Sequence, residues 1–316
     1  MEIQEKIEAL RKEIEYHIER YYNQDDPEIT DYEYDQKMNE LKRLEKEHPE
    51  YVTPDSPTQK VGGSAKREAG VLVEHNVPML SLQDVFDRGE VENFVAEMKK
   101  QLDDPEFVVE YKIDGLSLSL RYEYGELKLA ETRGDGIQYG EDVTANAKVI
   151  RDVKKKLKDK PEYLEIRGEV YMTEADFEKV NEKQELLGKK LFANPRNCAA
   201  GTLRQLDTAV TKERGLSMFI FNIQDARGIS FETHTEGYEY LKSNGVKVIE
   251  NYQICTTGEE VWEAIQKIGE QRGKLGYDID GAVVKLNNLQ DRVTVGETSK
   301  VPRWAVAYKY PPEEKE

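Results

Sequence analysis

Residues 107–122 read FVVEYKIDGLSLSLRY, two β-rich runs interrupted by Lys112-Ile113-Asp114-Gly115. Short runs dominated by Val, Tyr and Leu predict strands, and the Asp-Gly pair predicts a tight turn between them. Two readings of Lys112 stay open at this level. It is either the solvated lysine of a surface hairpin, or a lysine held partly out of water between strands, where desolvation makes neutral amine available as a nucleophile. Outward from this segment the strand signature recurs: LKLAETR at 127–133, YLEIRGEVYM at 163–172, SMFIFNI at 217–223, GAVVKLN at 281–287 and WAVAYKY at 304–310. Helical spacing fills 174–187 and 259–271. The pattern predicts an α+β domain of mainly antiparallel sheets flanked by helices.

Several polar residues sit in places that invite chemistry. The strand at 163–172 sends Glu165, Arg167, Glu169 and Tyr171 to one face and Leu164, Ile166, Val170 and Met172 to the other. That polar face is either an ordinary wet sheet surface or a binding surface, and Gly168 hints at a close approach. Lys285 and Lys309 lie inside apolar strands, where an unpaired ammonium is costly. Lys309 shares its face with Ala305 and Ala307, which leaves room for a phosphate; a buried salt bridge is the rival reading. FANPRNCAAGTLRQLD at 192–207 carries Arg196 and Arg204 among small residues and turn formers, and Arg133-Gly134-Asp135-Gly136 has similar character. Each is a plain loop or an anion-binding one.

The N-terminal part follows a different period. Ile3, Ile7, Leu10, Ile14 and Tyr21 form a helical stripe over about residues 2–23. NQDDPEIT breaks it, Thr30 or Asp31 offers an N-cap, and Tyr34, Met38, Leu41 and Leu44 restart it. A helical hairpin is expected, ending before a Pro-, Gly- and Ser-rich stretch, with a boundary near residue 68. Tyr21, Tyr22, Asp31, Tyr34 and Asp35 gather around the break, either as packing and capping residues or as an aromatic, acidic pocket for a flat cationic ring.

Composition narrows the function. With 38% hydrophobic and 34% charged residues the chain suits a soluble globular protein, and no apolar run reaches the length of a membrane span. The acidic, helical start is unlike a signal peptide, so a cytoplasmic location is expected. Cys198 and Cys255 have no metal-ligand spacing. The net charge of −17 argues against tight nucleic-acid binding by this chain alone.

Taken in order, EYKIDG, TRGDG, EIRGEVYM, FANPRNCAAGTLRQLD, YDIDGAVVKLN and PRWAVAYKYPPEE resemble the successive motifs of bacterial NAD-dependent DNA ligases, and PMLSLQDVFD at 78–87 is similar too. The resemblance spans nearly the whole chain. It implies a nucleotidyltransferase core, ATP-grasp-like as in ligases, at residues 69–316. A helical module for the nicotinamide mononucleotide half of NAD occupies 1–68. It implies that Lys112 is the nucleophile, with Asp114 in the same motif, forming a phosphoramidate with AMP as nicotinamide mononucleotide leaves. By the same matching Glu110 meets adenine, Ser81 and Leu82 line the adenosine pocket, Phe221 stacks on the base and Glu169 holds the ribose. Arg133, Arg196, Lys285 and Lys309 surround phosphates and ribose, and Arg204 meets the DNA-bound state. Tyr21, Tyr22, Asp31, Tyr34 and Asp35 form the nicotinamide mononucleotide site.

Magnesium is implied by the family chemistry, without assignable ligands; zinc belongs to a module of longer family members and is not expected here. Those members continue into further DNA-binding domains, whereas this chain stops at YPPEEKE. The expectation is a monomeric adenylation fragment that charges itself with AMP from NAD and binds nicked double-stranded DNA weakly. Two rivals share some features: an ATP-dependent ligase or capping guanylyltransferase, against which the N-terminal Tyr and Asp cluster speaks, and a non-catalytic NAD-binding or DNA-scaffold module.

Overall fold

The computed structural model describes residues 2–20, 28–58, 71–298 and 300–312. In the N-terminal part, α1 (Ile3–Ile18) and α2 (Asp31–Glu47) form the expected hairpin. Ile7, Leu10 and Ile14 pack against Tyr34, Met38, Leu41 and Leu44, whereas Ile3, at the head of the predicted stripe, is exposed. Thr30 is the N-cap of α2, its hydroxyl accepting from the Glu33 amide at 3.1 Å. Arg11 ties the hairpin to the chain beyond it, donating to Glu45 at 2.9 Å and to the Tyr51 carbonyl at 2.6 Å. The expected end of the first helix at residue 23 and the boundary near 68 fall outside the described residues.

The remainder alternates strands and helices in the order β1 (Leu72–Glu74), β2 (Gln83–Val85), α3 (Arg88–Gln101), β3 (Phe107–Ile113), β4 (Leu116–Glu123), β5 (Glu126–Thr132), β6 (Tyr139–Glu141), α4 (Thr144–Ala147) and β7 (Tyr163–Tyr171). Then come α5 (Glu174–Leu186), α6 (Pro195–Leu203), α7 (Thr208–Arg214), β8 (Ser217–Arg227), α8 (His234–Ser243), β9 (Gln253–Cys255), α9 (Gly258–Gln271), β10 (Ile279–Leu286), α10 (Leu289–Val295) and β11 (Ala305–Lys309). A five-stranded sheet runs β2-β11-β10-β3-β9, a four-stranded sheet β5-β4-β7-β8, and β1 pairs with β6. All pairings are antiparallel except that of β11 with β2. The α+β architecture with antiparallel sheets is therefore as the strand spacing predicts.

The hairpin at Asp114-Gly115 is not formed. β3 pairs with β10 and β9, β4 with β5 and β7, so the dipeptide carries the chain from one sheet into the other. Neither residue has the positive φ that a two-residue hairpin turn demands. Glycine is required at 115 for a different reason: a Cβ there would overlap the Val170 carbonyl of β7. The close approach expected at Gly168 has a similar cause, since a Cβ would overlap the Phe219 carbonyl where the β7–β8 register shifts.

Each sheet buries one face. Phe107, Val109, Tyr111, Ile113, Ala282, Val284, Leu286, Val306 and Tyr308 form a core with Val91, Val95 and Met98 of α3 and Val261, Ala264, Ile265 and Ile268 of α9. The even-numbered residues Leu164, Ile166, Val170 and Met172 join Leu118, Leu120 and Tyr122 in the second core. Their opposite faces turn toward each other. Gly168→Ala, which forces the β7–β8 pair apart, is expected to cost about 1–3 kcal/mol in urea unfolding; unchanged stability would contradict the packing described.

Candidate active site

Strand register decides which polar side chains meet. Gly281 of β10 stands opposite Lys112 on one side and Lys309 on the other; Val283 lies between Glu110 and Ala307, and Lys285 between Val108 and Ala305. Directly opposed residues share a face, so Glu110, Lys112, Lys285 and Lys309 project together, over small neighbours at Gly281, Ala305 and Ala307. The four-stranded sheet answers with Ser117 opposite Glu169 and Ser119 opposite Arg167. Between them opens a cleft of about 1500 Å³, above the usual ~300–1,000 Å³ of small-molecule sites.

Many of the residues singled out by sequence line this cleft, among them Ser81, Leu82, Glu110, Lys112, Arg133, Arg167, Glu169, Arg196, Arg204, Phe221 and Lys285. Asp114 and Lys309 are one contact away. The Arg196 guanidinium, at the first turn of α6, lies 3.4 Å from Asp114 Oδ1. Lys309 Nζ lies 2.7 Å from Asp280 Oδ2, and the same carboxylate receives Lys112 Nζ at 3.3 Å. Lys112 is thus not isolated in an apolar slot; its ammonium has a carboxylate counter-ion. Although burial pushes the Asp280 carboxyl up, the two lysines outweigh it and hold it below the usual range.

Four residues further along β10 the chemistry changes. Lys285 is buried, paired with Glu110, and donates to the Phe221 carbonyl at 2.9 Å. Tyr238 of α8 donates to Glu110 Oε2 at 2.7 Å. Burial draws the Lys285 ammonium down to about 8, despite Glu110. The rival reading of Lys285 and Lys309 as salt-bridged lysines is therefore correct for both, and both salt bridges stand at the cleft.

The polar face of β7 is no wet surface. Glu165 is buried, Tyr171 joins the core, and Arg167 and Glu169 form the cleft floor. Arg167 donates to Ser117 Oγ at 2.7 Å and to the Leu80 carbonyl at 3.1 Å, with its guanidinium 5.4 Å from the Phe221 ring centroid. Arg133 donates to the Met79 carbonyl at 2.9 Å and to Ser81 Oγ at 2.6 Å. Together these two arginines bind the PMLSL segment to the four-stranded sheet.

Other expected residues stand apart. Tyr21 and Tyr22 lie outside the described residues, as do the side chains of Asp31 and Asp35. Tyr34 packs in the hairpin core at 5% exposure, as the helical stripe predicts. The hairpin still reaches the cleft through Glu28, Ile29, Thr30 and Glu33. Arg204, expected to meet the DNA-bound state, lines the cleft although it is 3% exposed and paired with Glu141. Sequence reasoning missed Asp280 and Tyr238, and saw Arg167 only as part of the polar face of β7. A signal for Asp280 was present: Ile279-Asp280-Gly281 repeats Ile113-Asp114-Gly115, and the two segments are paired across β3 and β10.

Burial pushes the Glu169 carboxyl up to about 7, with Asp280 adding to it against the pull of Lys112, Arg167 and Arg196. The folded protein therefore holds a proton that the unfolded chain gives up from about 4.5, and stability falls as pH rises from there toward 7. Glu169→Gln should flatten that part of the thermal-stability profile in ligand-free protein. A wild-type profile no steeper than that of the variant would contradict the assignment.

Comparison with known proteins places this geometry. Residues 70–313 match the family model described as the NAD-dependent DNA ligase adenylation domain, and residues 1–62 match the DNA ligase-like, N-terminal NAD+-binding domain. The DNA ligase of Clostridium kluyveri is 57% identical over 316 residues, covering 100% of this chain and 47% of that protein. That of Acetivibrio thermocellus is 52% identical over 317 residues, covering 100% and 48%. The chain thus spans about half the length of these relatives. Among solved structures, an archaeal ATP-dependent RNA ligase aligns over 75% of this chain and 49% of that one, with 14% identity and a TM-score of 0.42, too distant to carry an argument. With its family match covering most of the chain and relatives of this identity running its full length, the chain belongs to the NAD-dependent DNA ligases, as their NAD+-binding and adenylation region.

Proposed function

We propose that the cleft binds NAD with adenine toward Glu110, Lys285 and Phe221 and the α-phosphate toward Lys112, and that Lys112 Nζ takes the AMP. The observation that carries this reading is the arrangement on one sheet face. A buried, hydrogen-bonded Glu110–Lys285 pair suits the donor and acceptor edge of a base, and about 13 Å further along the strand two lysines share one carboxylate. Phe221 supplies the stacking surface, Ser81 and Leu82 the adenosine wall, and Glu169 accepts from a ribose hydroxyl.

In the reaction Lys112 Nζ forms a bond to phosphorus as the bridging P–O bond breaks, and the nucleotide half bearing nicotinamide leaves with that oxygen and its charge. Asp280 orients the ammonium, and the proton that Nζ must lose passes to water, to which the half-buried lysine is open. Arg133, Arg196 and Lys309 offset the charge that moves to the departing oxygen. Asp114, held by Arg196, fixes that guanidinium at the mouth. Burial pushes Asp114 up, and Asp280 beside it adds to the rise against Arg196 and Lys112. No three His, Cys, Asp or Glu side chains converge on a point among the described residues, so the donor set does not fit a protein cage for magnesium. An ion would travel on the phosphates of the nucleotide.

The same reading divides the chain into a helical module at 1–68 and an adenylation domain at 69–316. Tyr21, Tyr22, Asp31, Tyr34 and Asp35 of the module take the nicotinamide half. Sealing of nicked DNA belongs to a longer protein, this part binding DNA weakly as a monomer, in the cytoplasm.

Incubation with magnesium and adenylate-labelled NAD or ATP tests the assignment: label should pass to the protein from NAD and not from ATP, and transfer from ATP alone would overturn it. Tyr22→Ala and Asp35→Ala should slow charging from NAD by about 10–100-fold, as loss of leaving-group alignment predicts. They should equally slow removal of the adduct by added nicotinamide mononucleotide. Wild-type rates in both directions would place that pocket elsewhere.

A further inference from the structure

We propose that His75 is a positioning residue for Arg133, held as an imidazolium between the Glu131 carboxylate and the Arg133 carbonyl. The proposal rests on the adenylation reading for its effect on NAD and on geometry alone for the charge. His75 follows β1, its amide donating to the Gln138 carbonyl at 2.7 Å. Its Nδ1 lies 3.1 Å from Glu131 Oε2 and its Nε2 lies 2.7 Å from the Arg133 carbonyl oxygen. Both partners only accept. Nε2 is hydrogen-bonded to its oxygen and Nδ1 stands at ion-pair distance from the other; a neutral imidazole would turn a lone pair on one of them, whereas the imidazolium presents a proton to each and a charge to the carboxylate.

The surroundings favour the cation. The side chains of His75 and Glu131 are 0% and 1% exposed. Arg121 of β4, the neighbouring guanidinium, is divided between Glu131 at 2.8 Å and Glu165 of β7 at 2.9 Å, so Glu131 needs the second cation that His75 supplies. Tyr163 of β7 hydrogen-bonds Glu165 at 3.1 Å, and burial together with Glu131 raises the Glu165 carboxyl against the pull of Arg121. From β6 the backbone at Gly140 closes on the ring. Asp135, beyond Arg133, adds a further negative charge. Burial alone would lower the imidazole, but the hydrogen bond and charge of Glu131, the Arg133 carbonyl and Asp135 together raise it above its ordinary value.

This contact reaches the cleft through Arg133. The loop after β5 is wound on Asp135, whose Oδ1 accepts from the amides of Ile137, Gln138 and Tyr139. His75 fastens the loop's first carbonyl to the sheet. The Arg133 guanidinium then stands at Met79 and Ser81, on a loop whose Arg133 carbonyl also receives the Gly136 amide at 2.8 Å. Because the imidazole is raised in the fold, the doubly protonated anchor is complete below the ordinary histidine range near 6.5 and weakens as pH rises through the folded value, when one N–H is left to two oxygens.

Nitrogen-15 NMR of the imidazole in ligand-free wild type should show both His75 nitrogens protonated at pH 7, and Glu131→Gln should move the titration to lower pH. The KM for NAD in self-adenylation should rise about tenfold across the midpoint so measured, with the rate at saturation changing less. His75→Gln should start at the raised KM and stay flat over that window. A neutral His75 in wild type at pH 7 overturns the charge assignment, and a His75→Gln KM within about twofold of wild type overturns the positioning role. Wild type that forms no lysyl-AMP would refute the adenylation reading instead, while the titration still decides the charge of His75.

Discussion

The passage of the chain from one sheet to the other at Asp114-Gly115 is the constraint on which the rest depends. Gly115 must press against the Val170 carbonyl, and the Asp114 amide donates to the Asp278 carbonyl at 3.0 Å. These two contacts fix the end of β3 against both β7 and β10. Lys112, two residues earlier, is thereby set between Asp280 of one sheet and Glu169 of the other. Without the crossing, two half-buried sheets would each offer a polar face to water; with it, the faces enclose a cleft.

Electrostatics then divides that cleft. At the Lys112 end, one carboxylate serves two ammonium groups, an arrangement with spare positive charge that a phosphate can satisfy. At the Lys285 end, pairing is internal and complete, with Glu110 meeting both Lys285 and Tyr238, which suits recognition of a neutral, hydrogen-bonding ring. The overall charge of −17 coexists with this local grouping of cations. An acidic exterior around a basic cleft favours a small anionic ligand over a long polyanion.

Much of this was legible in the sequence, and the parts that were not share a physical reason. Strand and helix periods report local burial, so α1, α2, β3, β4 and β7 were readable from their own residues. Pairing is non-local, so the Asp-Gly turn was read as a hairpin when the contact that matters lies at Val170, over fifty positions away. Lys285 and Lys309 were conspicuous because an ammonium in an apolar strand demands a partner. Their partners Glu110 and Asp280 were not nameable from spacing. Tyr34 and Arg204 are both buried, Tyr34 in the hairpin core and Arg204 beside Glu141 at the cleft, contacts that a motif does not report. Arg167 was seen as part of a polar face but not weighed as a scaffold for the PMLSL segment, because its hydrogen bonds reach Ser117 and Leu80 on other elements.

The account turns on which nitrogen receives the nucleotide. The most direct measurement is tandem mass spectrometry of proteolytic fragments after incubation with NAD and magnesium, which locates the added AMP on one side chain. The account predicts the adduct on Lys112 alone. An adduct on Lys285, on Lys309 or on any residue outside the cleft would contradict it.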